Sequence, residues 1–331
     1  MILTEDNYYT PEADLEYMSC SQYQSFCECE AKSMAKLHKR WIDKPSEAFL
    51  VGNYFHSYFE SPEAHQKFCA ENADKIYTQA SYKKYITLCQ SRDMELAVDG
   101  KSSIVPEDVL KPLAKYEQAD NMIRVVKGDP LMKQFLDLEG ENEKIVTGEI
   151  FGIKWRGKLD KYIPDMRFIV DYKTVANIWE TMYNPVTKER ETFVQKYGYL
   201  FRAAIYSLLE MQMHFHISFQ EAYSLMQDSP DDAADFFLLC VSKQDYPDKE
   251  VIRLNHVKEY IRELDAAKEK LGRIQALKDG IIEPRRCGMC DYCRSTKVLK
   301  EIKPYYELIP AFRTAKETEY IQEGEDNESG A

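Results

Sequence analysis

Three consecutive strand-like segments between residues 143 and 175 constrain the fold of this chain more than any other feature. They read EKIVTGEI, IKWRGKLDKYI and FIVDYKTV, and turn-forming residues separate them at Phe151-Gly152 and Pro164-Asp165. Long helical patterns precede and follow this block. Because a sheet must bury its apolar face against another layer, this order predicts a sheet packed between helices.

The rest of the chain extends this pattern into a single domain. Apolar residues at helical spacing predict a long helix from Phe193 onwards. A short apolar run predicts a strand at 236–243, and an imperfect alternation at 250–257 indicates another. We therefore predict one α/β (α+β) domain over residues 1–315. Residues 1–140 form a helical region, and residues from about 143 to 257 form the mixed-sheet core. A C-terminal helix and a cysteine cluster follow at 258–300.

Charge and hydropathy narrow the possible functions. The chain has 331 residues and a formal net charge of -12, which argues mildly against a nucleic-acid-binding protein. A local basic lining could still bind DNA. Residues 316–331 carry six acidic residues against one lysine and predict a disordered tail. No apolar run reaches the roughly 18 residues of a membrane span. The acidic start of the chain is unlike a secretory signal, so we expect a cytoplasmic protein with no membrane association.

Asp160, Asp171 and Lys173 form the pattern that indicates chemistry. Asp171 and Lys173 are two residues apart in FIVDYKTV, so a strand directs both side chains to one face. In IKWRGKLD, Asp160 shares its face with Arg156 and Lys158, whereas apolar side chains occupy the other face. Polar residues in such apolar surroundings indicate a site, although D-x-K alone could also be a surface ion pair.

Hairpin pairing brings a further carboxylate to this site. A turn at Phe151-Gly152 would pair Glu149 with Lys154 and Glu143 with Asp160, so that Glu149 lies well away from Asp160. A shift in register would reverse this choice, so both glutamates are candidates and Glu143 is preferred.

Converging carboxylates repel each other unless a cation neutralises them. Oxygen ligands with open coordination positions favour Mg²⁺ or Mn²⁺, as one or two ions. Such an ion polarises a phosphodiester and lowers the pKa of a bound water molecule. Lys173 can stabilise the attacking hydroxide or the negative charge that develops on the phosphate. The pattern is compatible with metal-dependent phosphodiester hydrolysis, and a surface ion pair on the strand is the alternative.

The string GIKWRGKLDKYIPDMRFIVDYKT (152–174) resembles the core of the PD-(D/E)XK nucleases. More narrowly, it resembles phage and prophage exonucleases related to exodeoxyribonuclease VIII, within the RecB-like group. Three other segments resemble that group in the expected order: VGNYFHSYFE (51–60), YMSCSQYQSFCECEAKSMAKL (17–37) and YGYLFRAAIY (197–206). The resemblance covers most of residues 5–300.

The resemblance implies a restriction-endonuclease-like sheet and a set of site residues. It makes Lys173 the catalytic lysine, adds a glutamate from the strand before Asp160, and implies these metal ligands: His56, Asp160, Asp171 and the backbone carbonyl of Tyr172. By itself, His56 could equally be a core histidine among the aromatic residues around it.

The resemblance also implies the reaction. Related enzymes are exonucleases that resect linear double-stranded DNA from 5′ to 3′ in phage-type recombination, within the bacterial host cytoplasm. They leave a strand for a single-strand annealing protein, and some form homo-oligomeric rings. The alternatives are an iron–sulfur nuclease acting on single strands, an endonuclease, and a catalytically silent DNA-binding module.

One segment departs from the group's pattern. The helix motif Q-x-x-x-Y is represented here by Arg202 and Tyr206, which we place on one helical stripe with Gln195. Arg202 could contact a phosphate, or it could pair with an active-site carboxylate and weaken metal binding. Arg156 and Lys158 are further candidates for DNA contacts.

Nine cysteines, an odd number, indicate a metal site or redox chemistry in a reducing compartment. Cys287, Cys290 and Cys293 form C-x-x-C-x-x-C, which needs a fourth ligand from elsewhere. The resemblance implies Cys29, because some RecB-like nucleases join one N-terminal and three C-terminal cysteines around a [4Fe–4S] cluster. Competing donors are Cys20 and Cys27. Zinc and unliganded thiols are the alternatives to iron–sulfur.

Overall fold

A computed structural model describes residues 1–44, 46–98, 106–184, 188–299 and 302. The predicted acidic tail and the end of the predicted domain lie outside these residues. None of the helices in the described ranges is both long and apolar enough to cross a membrane.

The helices and strands of the described residues are numbered in chain order. The helices are α1 (Pro11–Glu16), α2 (Cys20–Glu28), α3 (Glu30–Leu37), α4 (Glu47–Glu60), α5 (Pro62–Glu71), α6 (Ala73–Ile76), α7 (Gln79–Val98), α8 (Ala114–Gly128), α9 (Pro130–Asp137), α10 (Phe193–Lys196), α11 (Tyr199–Phe215), α12 (Phe219–Asp228), α13 (Val257–Lys278) and α14 (Asp291–Ser295). The strands are β1 (Glu141–Ile150), β2 (Ile153–Ile163), β3 (Phe168–Val175), β4 (Met182–Asn184), β5 (Glu189–Glu191), β6 (Asp235–Ser242) and β7 (Lys249–Leu254).

A five-stranded mixed sheet with the order β1-β2-β3-β6-β7 forms the centre of the fold. Strands β3 and β6 are parallel, and the other neighbouring pairs are antiparallel. A chain that returns to a parallel strand needs a crossover connection. Helices α10, α11 and α12 lie in the connection from β3 to β6. The predicted mixed sheet flanked by helices is therefore confirmed.

Both faces of the sheet are buried, and central strand β6 shows this most clearly. Phe236, Leu238 and Cys240 belong to one apolar cluster, with residues of α2, α11 and α13. Phe237 and Leu239 belong to a second cluster on the opposite face, with residues of α4 and α8. Alternate strand residues point to opposite faces, so a strand covered on both sides needs a continuous apolar run. This explains the sequence FFLLCV.

The long helix predicted from Phe193 is wrong in one respect, because the chain breaks at Gly198. This glycine has a φ of +63°, in the left-handed region that glycine adopts without strain. The break separates α10 from α11. Gln195 therefore lies on α10, where it forms a capping box with Thr192, and it does not continue the helical stripe of Arg202 and Tyr206.

The N-terminal segment pairs with the middle of β2. Met18 N–H donates to the carbonyl of Lys154 at 2.8 Å, and Arg156 N–H donates to the carbonyl of Met18 at 2.9 Å. The Arg156 side chain is buried, and its guanidinium donates to the Tyr8 carbonyl and to Asp14. These contacts hold the start of the chain against the sheet, so Arg156 is engaged within the protein. The geometry does not favour a DNA contact by Arg156.

Candidate active site

The candidate site lies where β2 and β3 separate. The two strands pair only through Lys161–Ile163 and Phe168–Val170. Asp160 is the first β2 residue beyond this paired region, and its Oδ2 accepts a hydrogen bond from the Tyr172 backbone N–H at 2.8 Å. A carboxylate thus satisfies a backbone donor that the strand ladder leaves open. This hydrogen bond fixes Asp160 at the opening between the strands.

Lys173 joins the two aspartates. Its Nζ lies 2.6 Å from Asp171 Oδ2 and 3.7 Å from Asp160 Oδ2. It also donates to the Tyr172 carbonyl oxygen at 3.0 Å. Burial opposes the charge of Lys173, but Asp171 and Asp160 outweigh this effect and raise the pKa of its ammonium group. A cation therefore already lies among three oxygen atoms from the predicted metal-binding groups.

Asp171 is the most deeply buried carboxylate of the group, since only 4% of its side chain is exposed. Its Oδ2 is close to Lys173, yet within the described part of the chain it accepts no well-directed hydrogen bond. Buried polar atoms in native proteins nearly always have a partner. This oxygen has the Lys173 ammonium as its close partner, and its remaining lone pair is a candidate ligand for a metal ion.

His56 of α4 lies beside Asp160. Its Nδ1 lies 3.3 Å from Asp160 Oδ2. Burial lowers the pKa of the ring below its ordinary value, which favours neutral imidazole near pH 7. Neutral imidazole is the form that binds metals. Its neighbour Phe59, on the same helix, stacks on Tyr172 with ring centroids 5.1 Å apart and so holds α4 against β3.

The observed register separates the two candidate glutamates. Glu149 faces Lys154 as predicted and is exposed. The pairs on either side of Glu143 place it level with Asp160. Glu143 itself has a φ of +54°, and its carboxylate lies 2.5 Å from Lys158 Nζ. Burial raises the pKa of Glu143 to about 7. The geometry therefore favours Glu143 for the site.

A cavity of about 560 Å³ borders part of this site. Glu143 and Asp160 line it together with His56, Lys158 and Tyr9. Tyr9 comes from the N-terminal segment, and its ring lies 5.6 Å from Lys158 Nζ. The sequence did not suggest a role for Tyr9, because nothing in its spacing links it to strands more than a hundred residues away.

Arg202 and Tyr206 belong to α11, which packs on the face of the sheet opposite to α4. Arg202 Nη1 lies 3.4 Å from Asp171 Oδ1, so the arginine pairs with a candidate metal ligand. Tyr206 packs so closely on Gly157 of β2 that a Cβ atom there would lie 2.7 Å from the tyrosine ring. This close packing places α11 over β2. Of the two contacts considered for Arg202, the structure shows the pairing with an active-site carboxylate.

The comparisons with known proteins agree with this arrangement. A family described as a PDDEXK-like domain of unknown function (DUF3799) matches residues 19–296. The chain belongs to this family. It is also similar to the crystal structure of a "putative exonuclease" from Eubacterium rectale, with 30% identity and a TM-score of 0.73. That match covers 94% of this chain and 99% of the other.

No functionally curated protein gives a match. The predicted relationship to the PD-(D/E)XK nucleases and the predicted restriction-endonuclease-like fold are both confirmed by the family and structure matches.

The residues of this PDDEXK-like domain fit a hard divalent cation. The group offers carboxylate oxygens, a backbone carbonyl and a neutral imidazole, which suit Mg²⁺ or Mn²⁺. Among the described residues, only Cys29, Cys287, Cys290 and Cys293 place all their candidate ligand atoms within 4.8 Å of one another.

Proposed function

We propose that this protein is a metal-dependent DNA exonuclease. The observation that carries the proposal is the convergence of Asp160, Asp171 and Lys173 at the opening between β2 and β3. The family match and the similarity to a "putative exonuclease" support hydrolysis of phosphodiester bonds. The cavity beside Glu143 and Asp160 gives a phosphate group a route to these two carboxylates.

The proposed metal ligands are His56, Glu143, Asp160, Asp171 and the Tyr172 carbonyl oxygen, for one or two Mg²⁺ or Mn²⁺ ions. When bound, such an ion would polarise the phosphodiester and lower the pKa of a water molecule. The Tyr172 backbone N–H keeps Asp160 oriented towards the opening. His56 contributes a neutral nitrogen ligand from α4, so the ligand set combines three strands and a helix.

Lys173 has a different role in this proposal. Its charged ammonium group lies beside both aspartates and is almost enclosed, with 14% of the side chain exposed. In such surroundings a fixed positive charge interacts strongly with negative charge. We assign Lys173 to stabilising the charge that develops on the phosphate during attack by water. Lys158 and Tyr9 line the cavity at the position from which a substrate strand would approach.

The finer assignments rest on the sequence resemblance. We propose 5′→3′ resection of linear duplex DNA in phage-type recombination, in the cytoplasm of a bacterial host. This activity leaves a 3′ strand for a single-strand annealing protein. A ring-shaped homo-oligomer would suit processive digestion, since it would keep the enzyme on one DNA end.

A digestion assay tests the proposal directly. Linear duplex DNA labelled at the 5′ or the 3′ end is incubated with the full-length protein and Mg²⁺, beside a covalently closed circle. We expect early release of the 5′ label, retention of the 3′ label on the remaining single strands and an intact circle. Chelation by EDTA should stop all digestion.

Other results would identify the alternatives. Cutting of the closed circle would indicate an endonuclease, and degradation of single-stranded DNA alone would indicate a single-strand nuclease. DNA binding with no metal-dependent cleavage would indicate a silent module. Each of these outcomes would contradict the proposed exonuclease.

The variant Arg202→Gln tests how the arginine affects the metal site. Arg202 pairs with Asp171 and brings a positive charge close to the candidate metal ligands. Its removal relieves repulsion of about 1 kcal/mol, which corresponds to a roughly fivefold change in an equilibrium constant. We therefore expect the Mg²⁺ concentration for half-maximal digestion to fall about fivefold.

Arg262→Gln is the matched control, because Arg262 is 73% exposed on α13 and pairs with nearby Glu259 at the surface. This variant should leave the Mg²⁺ dependence unchanged. An unchanged or increased Mg²⁺ requirement in Arg202→Gln would show that the arginine does not oppose metal binding. An increase in the apparent KM for DNA would identify an additional phosphate contact.

A further inference from the structure

The four cysteine sulfurs form a compact group that joins the two ends of the described chain. Cys29 Sγ lies 3.6 Å from Cys293 Sγ, and Cys287 Sγ lies 3.9 Å from Cys293 Sγ. All four sulfurs lie within 4.8 Å of one another. These distances exceed the roughly 2.05 Å of a disulfide bond, so the group consists of separate thiols. The two competing donors, Cys20 and Cys27, are not part of it.

The spacing of the sulfurs distinguishes between the two kinds of metal centre. In a tetrahedral zinc site with Zn–S bonds of about 2.3 Å, neighbouring sulfurs are about 3.8 Å apart. The 3.6 and 3.9 Å separations lie on either side of this value, and no two of the four sulfurs are more than 4.8 Å apart. A [4Fe–4S] cluster binds each thiolate to a different iron. Its thiolates therefore surround the whole iron–sulfide core and must stand considerably farther apart.

We propose that Cys29, Cys287, Cys290 and Cys293 hold a single Zn²⁺ ion. The spacing of the thiols thus favours zinc over the iron–sulfur cluster that the sequence resemblance implied. The ion has a structural role, because four protein ligands leave no coordination position for a substrate. This proposal concerns a site that shares no residue with the candidate active site.

The surroundings of the sulfurs fit bound thiolates. Backbone N–H groups of Lys32, Cys290 and Cys293 point at three of the sulfurs, with N···S distances of 3.5, 3.3 and 3.4 Å. Such donors stabilise negative charge on sulfur. Cys29 and Cys293 are buried, with 4% and 2% exposure. This protection limits exchange of a bound ion with solvent.

The site connects α3 to the C-terminal segment. Other contacts follow the same connection: Ala31 N–H donates to the Arg285 carbonyl at 3.0 Å, and Arg285 N–H donates to Glu30 at 2.7 Å. Helix α3 also supplies Ser33 and Lys36 to a cavity of about 680 Å³ that Arg202 and other residues near the candidate active site line as well. A metal ion here would therefore stabilise the wall of that cavity.

Metal analysis of the full-length protein tests the proposal. The protein is expressed with ample iron and zinc, and it is purified both anaerobically and in air. We expect one zinc ion per chain in both preparations, no acid-labile sulfide and no visible absorption band. A brown anaerobic protein with about four iron atoms and four sulfides per chain would overturn the proposal, and so would a protein without bound metal.

Two matched variants test the fourth ligand. Cys27 is exposed and lies two residues from Cys29, yet it is outside the group. We expect Cys29→Ser to lose the zinc and to unfold at a lower temperature. Cys27→Ser should keep the zinc and the unfolding temperature of the native protein. Retention of zinc by Cys29→Ser would refute the assignment.

If Cys29→Ser does not fold, titration of the native protein with a thiol-specific mercurial and a chromogenic zinc indicator decides the question. We expect the exposed Cys27 to react without zinc release, and the zinc to be released as the four clustered thiols react. Zinc release before any thiol reacts would contradict cysteine ligation.

Discussion

Replacement of Lys173 by glutamine is expected to reduce the rate of DNA digestion by about 10²- to 10³-fold, the usual effect of losing one donor that stabilises developing negative charge. The lysine ammonium lies 2.6 Å from Asp171 Oδ2 and is almost enclosed. Glutamine retains a hydrogen-bond donor but removes the charge. A neutral donor cannot replace a positive charge opposite a phosphate that becomes more negative in the transition state.

The same substitution should not weaken metal binding. The Lys173 ammonium lies among oxygens of Asp160, Asp171 and Tyr172, where it competes electrostatically with a divalent cation. Calorimetric titration with Mn²⁺ should therefore give an affinity equal to or higher than that of the native protein. Lost activity together with preserved Mn²⁺ affinity would separate charge stabilisation from ligation.

Lys154→Gln is the matched control on the neighbouring strand. Its side chain is 58% exposed and pairs with Glu16 at the surface, where an ion pair contributes about 1 kcal/mol or less. Digestion should remain close to the native rate. Full activity in Lys173→Gln would remove the lysine from the proposed reaction.

The strands that carry the site could be predicted from the sequence because their residues alternate clearly. The predicted segments IKWRGKLDKYI and FIVDYKTV coincide with β2 and β3. The pairing of Glu149 with Lys154 also followed, since the two-residue turn fixes the register of the hairpin. Local pattern is sufficient here, because the strands are adjacent in the chain.

Features that depend on distant segments could not be predicted in this way. The chain turns at Gly198, between α10 and α11. The apolar residues keep their helical spacing across this turn, so the sequence predicted one continuous helix. The Arg156 guanidinium donates hydrogen bonds to the Tyr8 carbonyl and to Asp14, and both bonds require the N-terminal segment to lie against β2. The resemblance implied Cys29 as the fourth thiol, but spacing gave no reason to prefer it over Cys27.

Replacement of Asp160 by asparagine is expected to have the largest effect on this protein. The change is nearly isosteric, and the amide oxygen can still accept the Tyr172 N–H hydrogen bond. The strand opening should therefore be preserved while one negative charge is lost. A catalytic metal contributes several kcal/mol to the transition state, so we expect a rate loss on the order of 10³ or more.

Asp160→Asn should also lose Mn²⁺ affinity, in contrast to Lys173→Gln. Without the Asp160 charge, the nearby ammonium of Lys173 and guanidinium of Arg202 are less well balanced, and both repel a divalent cation. Asp165→Asn provides the control, because Asp165 is exposed in the turn after β2. Native Mn²⁺ affinity in Asp160→Asn would exclude Asp160 as a ligand. Because only the aspartate variant should lose both binding and digestion, the two substitutions together identify which residue holds the metal and which acts on the phosphate.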